Sequence, residues 1–147
     1  MSATGGNCAF SFPIRVYWED TDGGGVVYHA SYLRFLERGR TEWLRALGIE
    51  QQALRESRDV VFAVRSVAME FLAPARLDDL LTVTVELTAT RSASLRFRQA
   101  LLRESDGTVL VEAEVRAACL AASTFRPRPI PPGLIPGTSA EKKKNPA

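Results

Sequence analysis

The sequence predicts an α+β fold in which one long helix packs against a five-stranded antiparallel sheet. Three observations carry that prediction. Only one stretch, residues 30–47, has the 3.6-residue apolar period of an amphipathic helix. Four later stretches alternate apolar and polar side chains with period two. Short turns join those four, which antiparallel strands allow and parallel strands do not. At 147 residues, 46% hydrophobic and 24% charged, the chain fits one domain that can bury a core without disulfide or metal staples. That domain is expected to span residues 1–132, with 133–147 a disordered basic tail.

Residues 1–9 are small and polar and are expected to be loosely ordered. Residues 10–18 are β-branched and aromatic with an early Pro13, which suits an opening or edge strand. The segment Glu19-Asp20-Thr21-Asp22-Gly23-Gly24-Gly25 then breaks both helix and strand. In the helix, Tyr32, Leu33, Leu36, Trp43, Leu44 and Leu47 fall on one side, and Arg34, Glu37, Arg38, Glu42 and Arg45 on the other. Gly48 is placed to stop it, and a polar connector follows.

Residues 61–71 read as a strand, closed by Pro74 and the acidic turn Asp78-Asp79. Leu81, Val83, Val85 and Leu87 alternate with Thr82, Thr84, Glu86 and Thr88 in the clearest strand of the chain. Leu95, Phe97, Gln99 and Leu101 alternate with Arg96 and Arg98 in the next. Asp106-Gly107 signals a hairpin into the last strand, residues 109–120. There Val111, Ala113, Val115 and Ala117 share one face against Glu112, Glu114 and Arg116. The first and last strands are the expected edges for pairing with a second copy. Six of the eight prolines lie beyond Phe125, so that stretch is expected to run extended rather than add a strand.

Charge and cysteine content exclude several classes. The net charge is +2, but residues 123–147 hold five basic groups against Glu141 alone, and all three lysines are Lys142, Lys143 and Lys144. Three lysines release few counterions, and no basic stripe is interleaved with aromatics, so nucleic-acid binding is not expected. Cys8 and Cys119 lie far apart and share no ligand spacing with the single histidine, which argues against a disulfide framework or a zinc site. No apolar run approaches the ~18 residues of a transmembrane segment. The first dozen residues lack the features of a secretory signal, so the expected compartment is the cytoplasm.

Polar chemistry concentrates in residues 19–29. Three successive glycines between a strand and a helix permit positive φ and close approach of backbone to a ligand. The helix that follows starts with unpaired N–H groups and a partial positive charge, able to polarise a carbonyl. Asp22 lies a short loop away as a candidate base or nucleophile, and His29 sits at the start of the helix. Duller roles exist for each. The glycines could form a tight turn, either Asp20 or Asp22 could cap the helix, and His29 could be structural. The G-x-G-x-x-G and Gly-Lys-Ser/Thr phosphate fingerprints are absent, as is any Ser–His–Asp or Cys–His arrangement.

The run Glu19-Asp20-Thr21-Asp22-Gly23-Gly24-Gly25-Val26-Val27-Tyr28-His29, with Tyr32-Leu33 and Glu37-Arg38-Gly39-Arg40-Thr41-Glu42-Trp43-Leu44, resembles the hotdog-fold acyl-CoA thioesterases. It is most similar to the Tol–Pal-associated branch of the 4-hydroxybenzoyl-CoA thioesterase family. Pro74-Ala75-Arg76-Leu77-Asp78-Asp79 and Arg126-Pro127-Arg128-Pro129-Ile130-Pro131 extend the resemblance over about residues 12–131. Gly39 stands where alanine is usual, and the loop has a glycine where alanine is common.

The resemblance implies a hotdog fold, active sites at a dimer interface, and a homotetramer built as a dimer of dimers. It implies Asp22 as the catalytic carboxylate, His29 as its associated histidine, and the backbone around His29 as the carbonyl-binding group. Gly25, Val26, Val27 and Tyr28 would then contact the substrate. The implied reaction hydrolyses an acyl-CoA to free acid and CoA, which enters as part of the substrate, so no separate cofactor is required. Acyl carrier protein is an alternative carrier. Two other classes stay open: a non-catalytic acyl-CoA or acyl-carrier binding module, and an interaction protein of the envelope or lipid-synthesis machinery. A hotdog dehydratase fits less well, because it would not need the Asp-Thr-Asp loop.

Overall fold

The computed structural model describes residues 10–136. Strand β1 (Phe10–Arg15) leads through a 3₁₀ turn (Trp18–Asp20) to helix α1 (Ser31–Ala46) and helix α2 (Gln51–Arg58). Four strands follow: β2 (Val60–Phe71), β3 (Leu80–Arg91), β4 (Ser94–Arg103) and β5 (Val109–Ala121). They form one antiparallel sheet in the order β1-β3-β4-β5-β2, and α1 packs on one face against β1, β3 and β4. The class, the single long helix and the five strands are as the sequence predicts.

Period-two alternation explains the sheet. Leu81, Val83 and Val85 of β3, Leu95, Phe97 and Leu101 of β4, and Val111, Ala113, Val115 and Ala117 of β5 are all buried. Glu112, Glu114 and Arg116 face outward. Below the sheet the core has two parts. Ile14, Val16, Val27, Tyr32, Phe35 and Leu36 gather round the first half of α1. Leu44, Ile49, Leu54, Cys119, Ile130 and Ile135 gather round its end. Phe35 and Leu36 are fully buried, each contributing about 1.5–3 kcal/mol by removal from water. The Cys119 thiol is also enclosed, and that burial pushes its pKa up.

Five details differ from the sequence expectation. Strand β1 stops at Arg15 rather than residue 18, because the Asp20 carboxylate accepts the Tyr17 N–H at 2.8 Å and folds residues 18–20 into a 3₁₀ turn. On α1, Leu33 and Leu47 are 45% and 37% exposed, while Phe35 and Gly39 lie in the buried stripe with Tyr32 and Leu36. The apolar arc of this helix is wider than the face the sheet covers. The polar connector contains α2, hidden from periodicity because Leu54 is its only buried residue. Strand β5 is interior rather than an edge, since β2 crosses back to pair with it and leaves β1 and β2 outermost. After β5 the chain makes a single bridge, Leu120 to Pro127, yet packing continues to Ile135, which is 1% exposed.

The expected boundary at Pro132 therefore cuts through the second core cluster. Cys8, residues 1–9 with their expected loose order, and the lysine run 142–144 lie outside the described residues. Among the described residues, no helix is long and apolar enough to cross a membrane.

Candidate active site

Residues 20–30 form a tight, backbone-braced loop. Thr21 and Val27 make an antiparallel bridge, and the Asp22 N–H donates to the Val26 carbonyl at 3.0 Å. Closing five residues so tightly needs left-handed backbone at Gly23 (φ +93°) and Gly25 (φ +91°), which only glycine adopts without strain. Gly24 serves a different need. Its N–H donates to Asp22 Oδ1 at 2.7 Å, and a Cβ there would sit 3.2 Å from that oxygen. The carboxylate of Asp22 is thus held at the loop tip, facing solvent, by one backbone donor.

Asp20 is built oppositely. It is 2% exposed, its Oδ2 accepts the Tyr17 N–H, and its carbonyl accepts the Tyr28 N–H at 2.9 Å. Its carboxylate is occupied in shaping the turn. The sequence left open which of the two aspartates is structural, and burial separates them.

The loop delivers the chain to an uncapped helix start. The N-cap of α1 is Ala30, with no side-chain cap. Ser31, Tyr32 and Leu33 N–H groups donate to the Tyr28, His29 and Ala30 carbonyls at 2.8, 3.3 and 3.3 Å. No backbone carbonyl among the described residues takes the N–H of His29 or Ala30. Two donors at the positive end of a 16-residue helix therefore have no backbone acceptor among the described residues.

The other sequence-predicted residues separate by exposure. His29 is exposed, with its ring 4.5 Å from that of Tyr28, itself 49% exposed. Gly25 and Val26 are half-buried. Val27 is 6% exposed and its side chain belongs to the core, so only its backbone remains on the loop. Asp22, Tyr28 and His29 thus share one exposed loop beside the open helix start.

Sequence reasoning missed what supports this loop. The Val27 N–H donates to the Ala75 carbonyl at 2.9 Å, the Leu77 N–H to the Gly25 carbonyl at 3.0 Å, and Val26 bridges Arg76. Tyr32, expected only as an apolar residue of α1, accepts the Ala75 N–H on its hydroxyl at 3.0 Å, and burial raises its pKa. A pairing between residues 25–27 and 75–77 crosses about fifty positions and leaves no periodic signal. Further along α1 a cavity of about 130 Å³ is lined by Glu37, Arg40, Thr41, Trp43, Phe62 and Val64, among others. There Arg40 donates to Gln99 Oε1 at 2.9 Å, and burial lowers its pKa. Among the described residues, no three His, Cys, Asp or Glu side chains are grouped to hold a metal ion.

Comparison with known proteins places the chain in a family. Residues 16–136 match the thioesterase-like superfamily. The chain is 48% identical over 126 residues to the acyl-CoA thioester hydrolase YbgC of Escherichia coli, covering 86% of this chain and 92% of the relative. It is 46% identical over 122 residues to the acyl-CoA thioesterase YbgC of Haemophilus influenzae, covering 83% and 88%. A crystal structure of a probable thioesterase from Bartonella henselae superposes with a TM-score of 0.79 at 36% identity, over 84% of this chain and all of that one.

Proposed function

The chain belongs to the thioesterase-like superfamily, and on that premise we propose that it is an acyl-CoA thioester hydrolase using Asp22 and the open start of α1. The observation that carries the reading is the pair of uncommitted N–H donors at His29 and Ala30, on the same loop as an exposed carboxylate. The two donors hold the thioester oxygen, and their contribution grows as that oxygen becomes an anion. Oxyanion-hole donors of this kind contribute about 2.7–4 kcal/mol each.

Asp22 either takes a proton from a water that adds to the carbonyl carbon, or adds to that carbon itself to give a mixed anhydride that water then opens. In both routes the C–S bond breaks, the acid is released, and a proton goes to the CoA sulfur. His29 assists proton transfer or orients the reacting groups. Gly25, Val26 and Tyr28 border the substrate, and Val27 takes part through its backbone. Pantetheine runs along a subunit boundary.

We further propose a cytoplasmic homotetramer, a dimer of dimers. Support for pairing comes from the β2 edge, where Val64, Phe71 and Leu72 are 47%, 54% and 52% exposed. Tyr17 and Trp18, exposed beside the loop, are further surface that a second copy would cover. Cys119 is an unpaired buried thiol, in keeping with a reducing compartment.

The test is a hydrolysis screen over short, long and aromatic acyl-CoAs and the matching acyl carrier protein thioesters. Release of free thiol above background by the wild-type chain, lowered about 10²–10⁴-fold in Asp22→Asn, is the expected result. A folded protein that binds acyl-CoA without turnover would instead establish a binding module. Sedimentation at micromolar concentration checks the assembly, and a stable 16 kDa monomer would refute it.

A further inference from the structure

The segment Pro74-Ala75-Arg76-Leu77-Asp78-Asp79 takes no part in the chemistry above, yet the catalytic loop rests on it. Three backbone links join the two: Val27 N–H to Ala75 O, Leu77 N–H to Gly25 O, and the Val26–Arg76 bridge. The segment is also tied to the sheet. Asp78 N–H donates to the Val16 carbonyl and Val16 N–H to the Asp79 carbonyl, at 3.0 and 2.9 Å.

One side chain spans the segment from end to end. Arg103, the last residue of β4, donates from Nη2 to the Pro74 carbonyl at 2.8 Å and from Nε to Asp79 Oδ2 at 3.2 Å. The same Asp79 oxygen accepts the Arg76 N–H at 2.9 Å, and Arg103 Nη1 donates to Asp106 Oδ2 at 3.1 Å. The side chains of Arg103 and Asp79 are only 17% and 21% exposed. A planar guanidinium can satisfy three acceptors at fixed angles, which a lysine cannot.

We propose that Arg103 and Asp79 are positioning residues for thioester hydrolysis, holding residues 74–79 as a platform that sets the height of the loop carrying Asp22 and the His29 and Ala30 donors. The proposal rests on the thioesterase reading. Its force comes from geometry: donors must lie about 2.7–3.1 Å from the developing oxyanion, and a misplacement of about 1 Å costs on the order of 10²-fold in rate. The carboxylate and the donors follow one backbone, and that backbone follows Ala75 and Leu77.

The test compares Arg103→Met, Arg103→Lys and Asp79→Asn with the wild-type full chain in two measurements. Steady-state kinetics on an acyl-CoA that the wild type hydrolyses should show kcat about 10–10²-fold lower for Arg103→Met, a smaller loss for Arg103→Lys, and KM within about twofold in both. Hydrogen exchange should show the Val27 and Leu77 amides losing protection while Val85 in the sheet keeps its own. Asp79→Asn removes the charge but keeps an oxygen for the Arg76 N–H. It carries the same test, with a loss of about fivefold, if Arg103→Met fails to fold. Unchanged kcat in any folded variant of the pair, or a loss of kcat with Val27 and Leu77 still fully protected, would overturn the proposal. Absence of turnover in the wild type would refute the thioesterase reading, and the exchange measurement would still decide whether Arg103 holds the platform.

Discussion

The two ends of helix α1 are built in opposite ways. At its C-terminal end every available device closes the backbone. Gly48 takes a left-handed turn (φ +85°), its N–H donates to Arg45 O at 2.9 Å, and Ile49 N–H reaches back to Leu44 O at 2.9 Å. Leu44 and Ile49 are buried in one cluster, so the turn is sealed by a hydrophobic contact as well. Helix α2, through Leu54, and the C-terminal segment, through Ile130 and Ile135, cover the same cluster. The N-terminal end has no side-chain cap, two N–H groups without backbone partners, and an exposed carboxylate on the loop before it. A side-chain cap would stabilise that end by about 0.5–2 kcal/mol, and the chain does without it. The difference separates the end that holds the helix in the core from the end proposed to meet substrate.

The sharpest way to break this contrast is at the open end. Asp22→Asn keeps the size of the side chain and an oxygen for the Gly24 N–H, and removes the charge. Turnover should fall by about 10²–10⁴-fold with the melting temperature nearly unchanged. Asp20→Asn is the counterpart two residues away. It weakens a buried carboxylate's hold on Tyr17 N–H, so about 0.5–2 kcal/mol of stability should be lost with a far smaller effect on kcat. If the two variants exchanged these effects, Asp20 and not Asp22 would be the reacting group.

At the closed end the expected loss is one of stability. Ile135 is 1% exposed among Leu44, Ile49, Leu54 and Ile130, so Ile135→Ala should cost about 2–5 kcal/mol in denaturant unfolding. Ending the chain after Pro132 removes the same side chain and should cost at least as much, whereas ending it after Pro136 should cost nothing measurable. Rates measured well below the unfolding transition should be unchanged in all three. A truncation at Pro132 with wild-type stability would mean that Ile135 is not part of the working core.

These ends also mark how far the sequence alone could be read. Alternation in β3, β4 and β5 and the single amphipathic helix were legible because each encodes its own burial, residue by residue. The loop was legible as a chemical site because acidic residues, three glycines and a histidine are an unusual sequence for a plain turn. What stayed hidden depends on partners distant in the chain. Helix α2 has one buried anchor, β2 reaches its place beside β5 by a crossover, and Ile135 lies in the proline-rich stretch past the expected domain boundary. The role of Arg103 left no trace in the strand pattern, because its three acceptors lie at positions 74, 79 and 106. Residue type and position alone could not tell Asp20 from Asp22, although the family resemblance pointed to Asp22: burial is a property of the fold around them.

The smallest expected effect lies midway between the two ends, where Gly39 of α1 packs directly on β3. A Cβ added at Gly39 would sit 2.8 and 3.0 Å from the two Cγ atoms of Val83 and 3.3 Å from Val85 Cγ2. Glycine within a helix costs about 1 kcal/mol relative to alanine, so Gly39→Ala should gain that amount if nothing stood in the way. Val83 does stand in the way, and its β-branched side chain on a paired strand has little rotamer freedom with which to retreat. Overpacking of this kind costs about 1–3 kcal/mol, which leaves a net loss of about 1 kcal/mol. Val83→Ala alone should also destabilise, by leaving a void at a fully buried position. Combined, the two changes should recover at least about 1 kcal/mol relative to the sum of the singles, since each makes room for or fills the other. Additive losses in that cycle, or a Gly39→Ala protein more stable than wild type, would show that helix and sheet have slack here and that close contact is not why glycine occupies the position.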